Sequence, residues 1–135
     1  MLLTNLATAE RLNLPDDLIW SDEHSWTPTI SSHTYLITGA LLIQSATKQT
    51  GREITLIGPV DMGWVTRSTL ETLRVWAAQT FTDTTGRFQL TLADGREYTV
   101  AFRHNEVPIE SEPVLGFAAQ RDEDLYRLTL RFMEI

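Results

Sequence analysis

Alternating apolar and polar residues run through most of the chain and predict a mainly β structure. The clearest pattern covers residues 87–103, where two alternating segments flank Asp94-Gly95, a residue pair typical of type I′ hairpin turns. A further alternating strand is predicted at residues 126–132, with the tyrosine, two leucines and phenylalanine facing the core. We expect each of these strands to have one buried and one solvated face.

A different pattern marks residues 32–44, which are rich in β-branched and aromatic residues and apolar on both faces of the predicted strand. Such a strand is expected to be buried on both sides. Gly39, in its middle, predicts a bulge or a close backbone approach. A second strand over residues 52–57 could pair with it as a hairpin across an exposed loop at 45–51.

One helix is predicted, at about residues 67–79. Thr66 is a suitable N-cap, and Val65 with Leu70 would form a hydrophobic staple. Ser68 with Glu71 offers a competing capping box two residues later. Four residues at helical spacing form the apolar face of this helix: Leu70, Leu73, Trp76 and Ala77.

The remaining segments set the domain organisation. Residues 1–17 read as an N-terminal arm, and residues 18–135 read as one domain. Residues 104–124 form a long connection, within which residues 107–110 could make a short edge strand. The order of elements predicts an antiparallel β-sandwich or split barrel with one helix packed at its side.

Composition and charge limit the classes of function that the sequence supports. The chain has no cysteine, which excludes disulfides and thiolate chemistry, and its net charge of −7 argues against nucleic-acid binding. No apolar run predicts a membrane span or a signal peptide. The three histidines lack metal-motif spacing, and phosphate loops and the G-x-S-x-G elbow are absent. We therefore expect no catalytic, metal or cofactor site; the remaining alternatives are a weak metal site at His24 and an enzyme built on scattered acids such as Glu110.

Aromatic and charged residues outside the predicted core indicate contact surfaces instead. Trp64 and Trp76 lie in or beside the helix and are expected in the core, whereas Trp20 and Trp26 are better surface anchors. The loops at 45–51 and 104–124 extend the predicted contacts. The residues that we predict at an interface are Trp20, Trp26, Lys48, Arg52, Pro113 and Asp122.

Two stretches resemble a known family. These are the segment from Ile37-Thr38-Gly39-Ala40-Leu41 to Gly51-Arg52-Glu53-Ile54-Thr55-Leu56, and the later succession of a tryptophan, a helix and the Asp94-Gly95 hairpin. The pattern resembles distal tail and other tail-tip (baseplate) proteins of long-tailed bacteriophages, over residues 18–135. The resemblance implies a tail-tube-like fold and a virion protein, made in the host cytoplasm, with no catalytic residues.

The resemblance further implies a homo-oligomeric ring, commonly a hexamer, that joins the tail tube to the hub or receptor-binding parts. A tail-terminator or minor tail role stays open. An acidic ring also suits a DNA conduit, because like charges repel. The alternative function is a small β-sandwich module that binds carbohydrate or protein, with Trp20 or Trp26 as its stacking surface.

Overall fold

A computed structural model describes residues 1–116 and 118–135, so residue 117 of the predicted 104–124 connection lies outside the described part. The chain is mostly β with one helix, as predicted, and its strand pairs are antiparallel. Within the described residues, no helix is long and apolar enough to cross a membrane. The elements are β1 (Leu2–Asn5), β2 (Arg11–Asn13), β3 (Ile19–Trp20), β4 (Thr29–Tyr35), β5 (Leu41–Thr47), β6 (Glu53–Ile57), β7 (Val65–Thr66), α1 (Arg67–Ala77), β8 (Phe88–Thr91), β9 (Glu97–Phe102), β10 (Ile109–Pro113) and β11 (Leu125–Glu134).

Strand β11 organises the larger sheet. It pairs with β9 and β10 along one edge and with β6 and β7 along the other. Beyond these neighbours the sheet continues through β8 and β1 to β2 on one side and to β3 on the other. The alternation predicted for β11 is confirmed, because the side chains of Tyr126, Leu128, Leu130 and Phe132 are buried.

A row of aromatic rings fills the core beneath helix α1. Trp76 of the helix stacks on Phe88 with ring centroids 5.6 Å apart, and Phe88 meets Phe102 at 5.2 Å. Phe102 then contacts Phe132 at 4.8 Å. Pairs of this kind contribute about 0.5–1.5 kcal/mol each beyond the area that they bury. The row joins the helix to strands β8, β9 and β11.

Helix α1 begins as its sequence predicts. The Thr66 hydroxyl accepts a hydrogen bond from the Thr69 N–H at 3.3 Å, and Val65 and Leu70 are both buried, as a staple requires. The helix ends at Ala77 rather than at 79. Ala78 is its C-cap and donates its N–H to the Arg74 carbonyl.

The predicted N-terminal arm is corrected by the structure. Residues 2–5 form an inner strand between β2 and β8, and Leu3 and Asn5 are fully buried. Asn5 accepts the Ala7 N–H on its side chain and the Ala9 N–H on its backbone carbonyl, and these bonds turn the chain back.

The predicted strand over residues 32–44 is also wrong. The chain folds back at residues 36–40, so β4 and β5 pair with each other and not with the 52–57 strand. Leu36 and Ala40 close a three-residue loop in which Gly39 has a φ of 83°. Glycine reaches this left-handed conformation without steric cost, and in a three-residue hairpin loop it forms the bulge that closes the turn. The alternative of a close backbone approach is not found, because a Cβ placed on Gly39 would meet no atom within 4 Å.

The second hairpin uses the same kind of turn. Leu92 and Arg96 close a three-residue loop, and Gly95 has a φ of 91° while Asp94 does not enter the left-handed region. A type I′ turn needs positive φ at both central residues, so that predicted turn type is corrected. In the 104–124 connection, the short edge strand left open by the sequence is present as β10.

Candidate interaction site

The hairpin formed by β4 and β5 is the most unusual feature of the molecule. Every residue from 29 to 47 is exposed, and none belongs to the hydrophobic core. We call these residues the projecting hairpin. A hydrogen bond from the Lys48 N–H to the Pro28 carbonyl, 2.7 Å long, closes its base. An isolated two-stranded hairpin is marginally stable in water, so this one needs a covering surface.

The outer half of the projecting hairpin is apolar on both faces. Tyr35, Leu41 and Ile43 share one face, and Leu36 and Leu42 share the other, as the strand register requires. Ile37, in the turn, is 108% exposed. The sequence predicts a segment that is buried on both sides, but the rest of this chain leaves both sides open to solvent.

The projecting hairpin is also uncharged. Residues 29–47 contain no Asp, Glu, Lys or Arg, although 21% of the whole chain is charged and its net charge is −7. Its titratable side chains are those of His33 and Tyr35. Strands that face solvent normally carry charges, which keep their edges from pairing with other chains. The absence of charge from these residues therefore favours contact over solvation.

Cations and aromatic rings pack together where the projecting hairpin joins the body. The Arg52 guanidinium lies 4.5 Å from the Trp20 ring centroid, 5.8 Å from that of Trp26 and 5.9 Å from that of Tyr98. Lys48, directly after β5, lies 5.7 Å from the Trp26 ring. We call these five residues the root cluster. Each cation–π contact is worth about 0.5–1 kcal/mol at an exposed site, so together they tie the residues on either side of the hairpin to the body.

Hydrogen bonds extend the root cluster into the loop before the hairpin. Arg52 donates to the Glu23 carbonyl at 2.8 Å, and Arg96 pairs with the Glu23 carboxylate at 2.8 Å. The bond to Glu23, and after it the bond to Asp94, raises the pKa of Arg96 above its ordinary value. The pKa of Asp94 is lowered, chiefly because its carboxylate accepts the Arg96 backbone N–H.

A buried arginine anchors the same loop to the sheet. Arg103 is 4% exposed and donates to the Thr55 hydroxyl at 2.8 Å. It also forms ion pairs with Glu53 at 3.0 Å and with Glu106 at 3.5 Å. Thr55 in turn donates its N–H and its hydroxyl to the two carboxylate oxygens of Asp22. This relay holds the segment that carries Trp26 against strand β6.

A second exposed apolar surface lies on another part of the molecule. Trp64, Val114, Leu115 and Leu125 line a groove of about 400 Å³, and the charged residues Arg121, Glu123 and Asp124 complete its walls. Trp64 is 37% exposed, Leu125 40% and Leu115 65%. We call this surface the Trp64 groove. Trp64 was expected in the core, but only Trp76 of that pair is buried.

The structure divides the six predicted interface residues between these two places. Trp20, Trp26, Lys48 and Arg52 meet in the root cluster. Pro113 ends β10 immediately before the groove residue Val114, and Asp122 lies between the groove residues Arg121 and Glu123. The Asp122 carbonyl also accepts the Ser68 N–H at the start of α1. Sequence reasoning missed the projecting hairpin as a unit, although the apolar faces on both sides of Gly39 were its signal.

Several titratable side chains outside the root cluster are engaged in contacts within the chain. In residues 1–116 and 118–135, no group of three His, Asp or Glu side chains is arranged to hold a metal ion. The Asp22 carboxylate accepts two hydrogen bonds from Thr55, and the His104 ring contacts the Ala77 carbonyl at 2.6 Å. Glu110 and Glu112 form ion pairs with Arg131 and Arg127 on the neighbouring strand.

Comparison of the chain with protein-family models, with curated proteins and with solved structures finds no match.

Proposed function

We propose that this protein is a structural subunit that assembles with copies of itself, as a ring at the tail tip of a long-tailed bacteriophage. The observation that carries the proposal is the projecting hairpin, which is uncharged, apolar on both faces of its outer half and uncovered by its own chain. Exposed apolar surfaces of this kind mark contact sites with other proteins. The ring would join the tail tube to the hub or receptor-binding parts.

The fold and the charge are consistent with this role. A mostly antiparallel sheet with one packed helix fits the tail-tube-like split barrel that the resemblance implies. The net charge of −7 would let DNA pass a ring lumen without sticking, because like charges repel. These features support placement in the virion.

The test is the oligomeric state of the purified chain. Native mass spectrometry and negative-stain electron microscopy should show closed rings, alone or after addition of tail-tube or hub proteins. An Ile37→Glu variant should shift this equilibrium toward monomer, because it places a charge in the covered surface. The matched control is Val75→Glu, which changes a residue that is 64% exposed on α1. A chain that stays monomeric at high concentration and with those partners would refute the proposal.

The alternative of a carbohydrate-binding module is less well supported by the root cluster. Arg52 and Arg96 lie within 5.5 Å of the Trp20 ring centroid, and Lys48 and Arg52 lie within 5.8 Å of that of Trp26. A sugar would have to displace a cation to stack on either ring. Glycan-array binding that is lost in a Trp26→Ala variant would restore this alternative.

A further inference from the structure

We propose that the Trp64 groove of one copy receives the outer half of the projecting hairpin of a second copy. Each chain would then carry both halves of one head-to-tail contact. This inference rests on the self-assembly proposed above and names the two surfaces that meet. The two surfaces lie far apart in the sequence, since the hairpin turn is at 36–40 and the groove is lined by residues 64, 114–115 and 121–125 other than Asp122.

The chemistry of the two surfaces is complementary. The hairpin turn presents Leu36 and Ile37 with Tyr35 beside them, and none of these side chains brings a charge into the contact. The groove offers mainly aliphatic and aromatic side chains. Arg121 and Asp124, which lie at its wall, contact each other, so they can remain paired at the rim. An apolar tip in an apolar groove leaves no charge desolvated and unpaired.

The sizes of the two surfaces also agree. The outer hairpin exposes six large apolar side chains: Tyr35, Leu36, Ile37, Leu41, Leu42 and Ile43. Covering these together with the groove would remove on the order of 1,000 Å² from water, close to the area at which specific protein interfaces begin. The groove, at about 400 Å³, would take the turn and the residues next to it, and the remaining side chains of the outer hairpin would lie against the surface around it.

A second copy is the occupant that the charges favour. The groove lining carries Arg121 with two carboxylates, those of Glu123 and Asp124, whereas the hairpin is uncharged. Contact between two copies therefore adds no further negative charge to the groove. The hairpin and the groove are different surfaces of one chain, so a contact between them is heterologous. Repetition of a heterologous contact gives a ring when the rotation closes and a filament when it does not.

Cysteine cross-linking tests the contact directly, because the chain contains no cysteine of its own. Ile37→Cys and Leu115→Cys change two exposed side chains, so both variants should fold, which circular dichroism checks. After mixing the single variants and adding a short bismaleimide, we expect covalent dimers. The double variant should give a ladder of higher oligomers.

The matched control replaces Leu115→Cys by Val75→Cys, which has similar exposure but lies on the helix. The yield of dimer should exceed that of the control on the order of tenfold, because bound partners meet at millimolar effective concentration. Equal yields in the two mixtures would overturn the inference. So would Ile37→Cys dimers forming faster alone than in the mixture, because hairpins would then pair with each other.

Native mass spectrometry of the unmodified chain separates the two proposals. An oligomer without cross-links between residues 37 and 115 would overturn the groove contact and leave the proposed subunit role intact. A monomer under all conditions would overturn the subunit role, and the groove contact with it.

Discussion

Excision of the projecting hairpin tests whether it serves assembly or the stability of the body. The change replaces residues 29–47 with Asn-Gly, a dipeptide that closes two-residue hairpins. Pro28 and Lys48 already share a 2.7 Å backbone hydrogen bond, so the short link spans ends that lie side by side. Because no removed side chain belongs to the core, we expect the shortened chain to fold into the same body.

The expected change in the free energy of unfolding follows from the contacts and the chain length that the excision removes. The excised residues are all exposed, so the lost burial within the chain is close to zero. Shortening a flexible connection lowers the entropy of the unfolded state, by about 0.6 kcal/mol for each halving of length and about 2 kcal/mol here if the whole segment counts as loop. The free energy of unfolding should therefore stay unchanged or rise by up to ~2 kcal/mol.

Urea denaturation followed by tryptophan fluorescence measures this free energy. Binding between copies adds to apparent stability, so the parent is measured as the Ile37→Glu variant at a concentration where it is monomeric. Leu130→Ala, which empties a fully buried site, serves as the positive control and should cost about 2–5 kcal/mol. A loss above ~2 kcal/mol on excision would refute the view that the hairpin is energetically separate from the body.

Three further pairs of variants test the stability of the body by the same urea measurement. Arg103→Ala should destabilise the protein by about 2–4 kcal/mol, since it removes a buried hydrogen bond and leaves a void. Arg103→Met should cost less because the methionine refills the space, and equal losses of stability in the two variants would contradict this reasoning. Gly86→Ala should cost more than Gly95→Ala, because both have positive φ but only the Gly86 methyl would press on backbone, 2.9 Å from the Phe81 Cα. Thr66→Ala should lose about 1 kcal/mol of helix capping that Thr66→Ser retains.

Local signals in the sequence predicted much of the fold. The capped helix and the alternating strands around Asp94-Gly95 and at 126–132 depend on contacts between residues near in the chain or on simple periodicity. Gly39 and Gly95 are equally good signals of a hairpin turn, but only Gly95 is flanked by segments in which apolar and polar residues clearly alternate. Around Gly39 the apolar residues continue on both faces, which hid the reversal of the chain.

The candidate site was predicted only in part, for a physical reason. Trp20, Trp26, Lys48 and Arg52 meet because Asp22 and Arg103 hold a loop against strand β6, and that relay joins residues far apart in the sequence. The Trp64 groove depends on the contact of residues 122–124 with the start of α1, where the Asp122 and Asp124 carbonyls accept the Ser68 and Arg67 N–H groups. Such arrangements are set by tertiary packing, which neither spacing nor composition reveals.

The place of β11 in the sheet has a consequence for the order of folding. Strands β6, β7, β9 and β10 all take β11 as a partner, and all of them precede it in the chain. During synthesis these strands emerge from the ribosome with an unpaired edge until residues 125–134 follow, and both strands of the projecting hairpin are made before any of them. The apolar, uncharged hairpin and these open strand edges are therefore exposed together until β11 is made, and this is the stage at which we expect the chain to aggregate most readily.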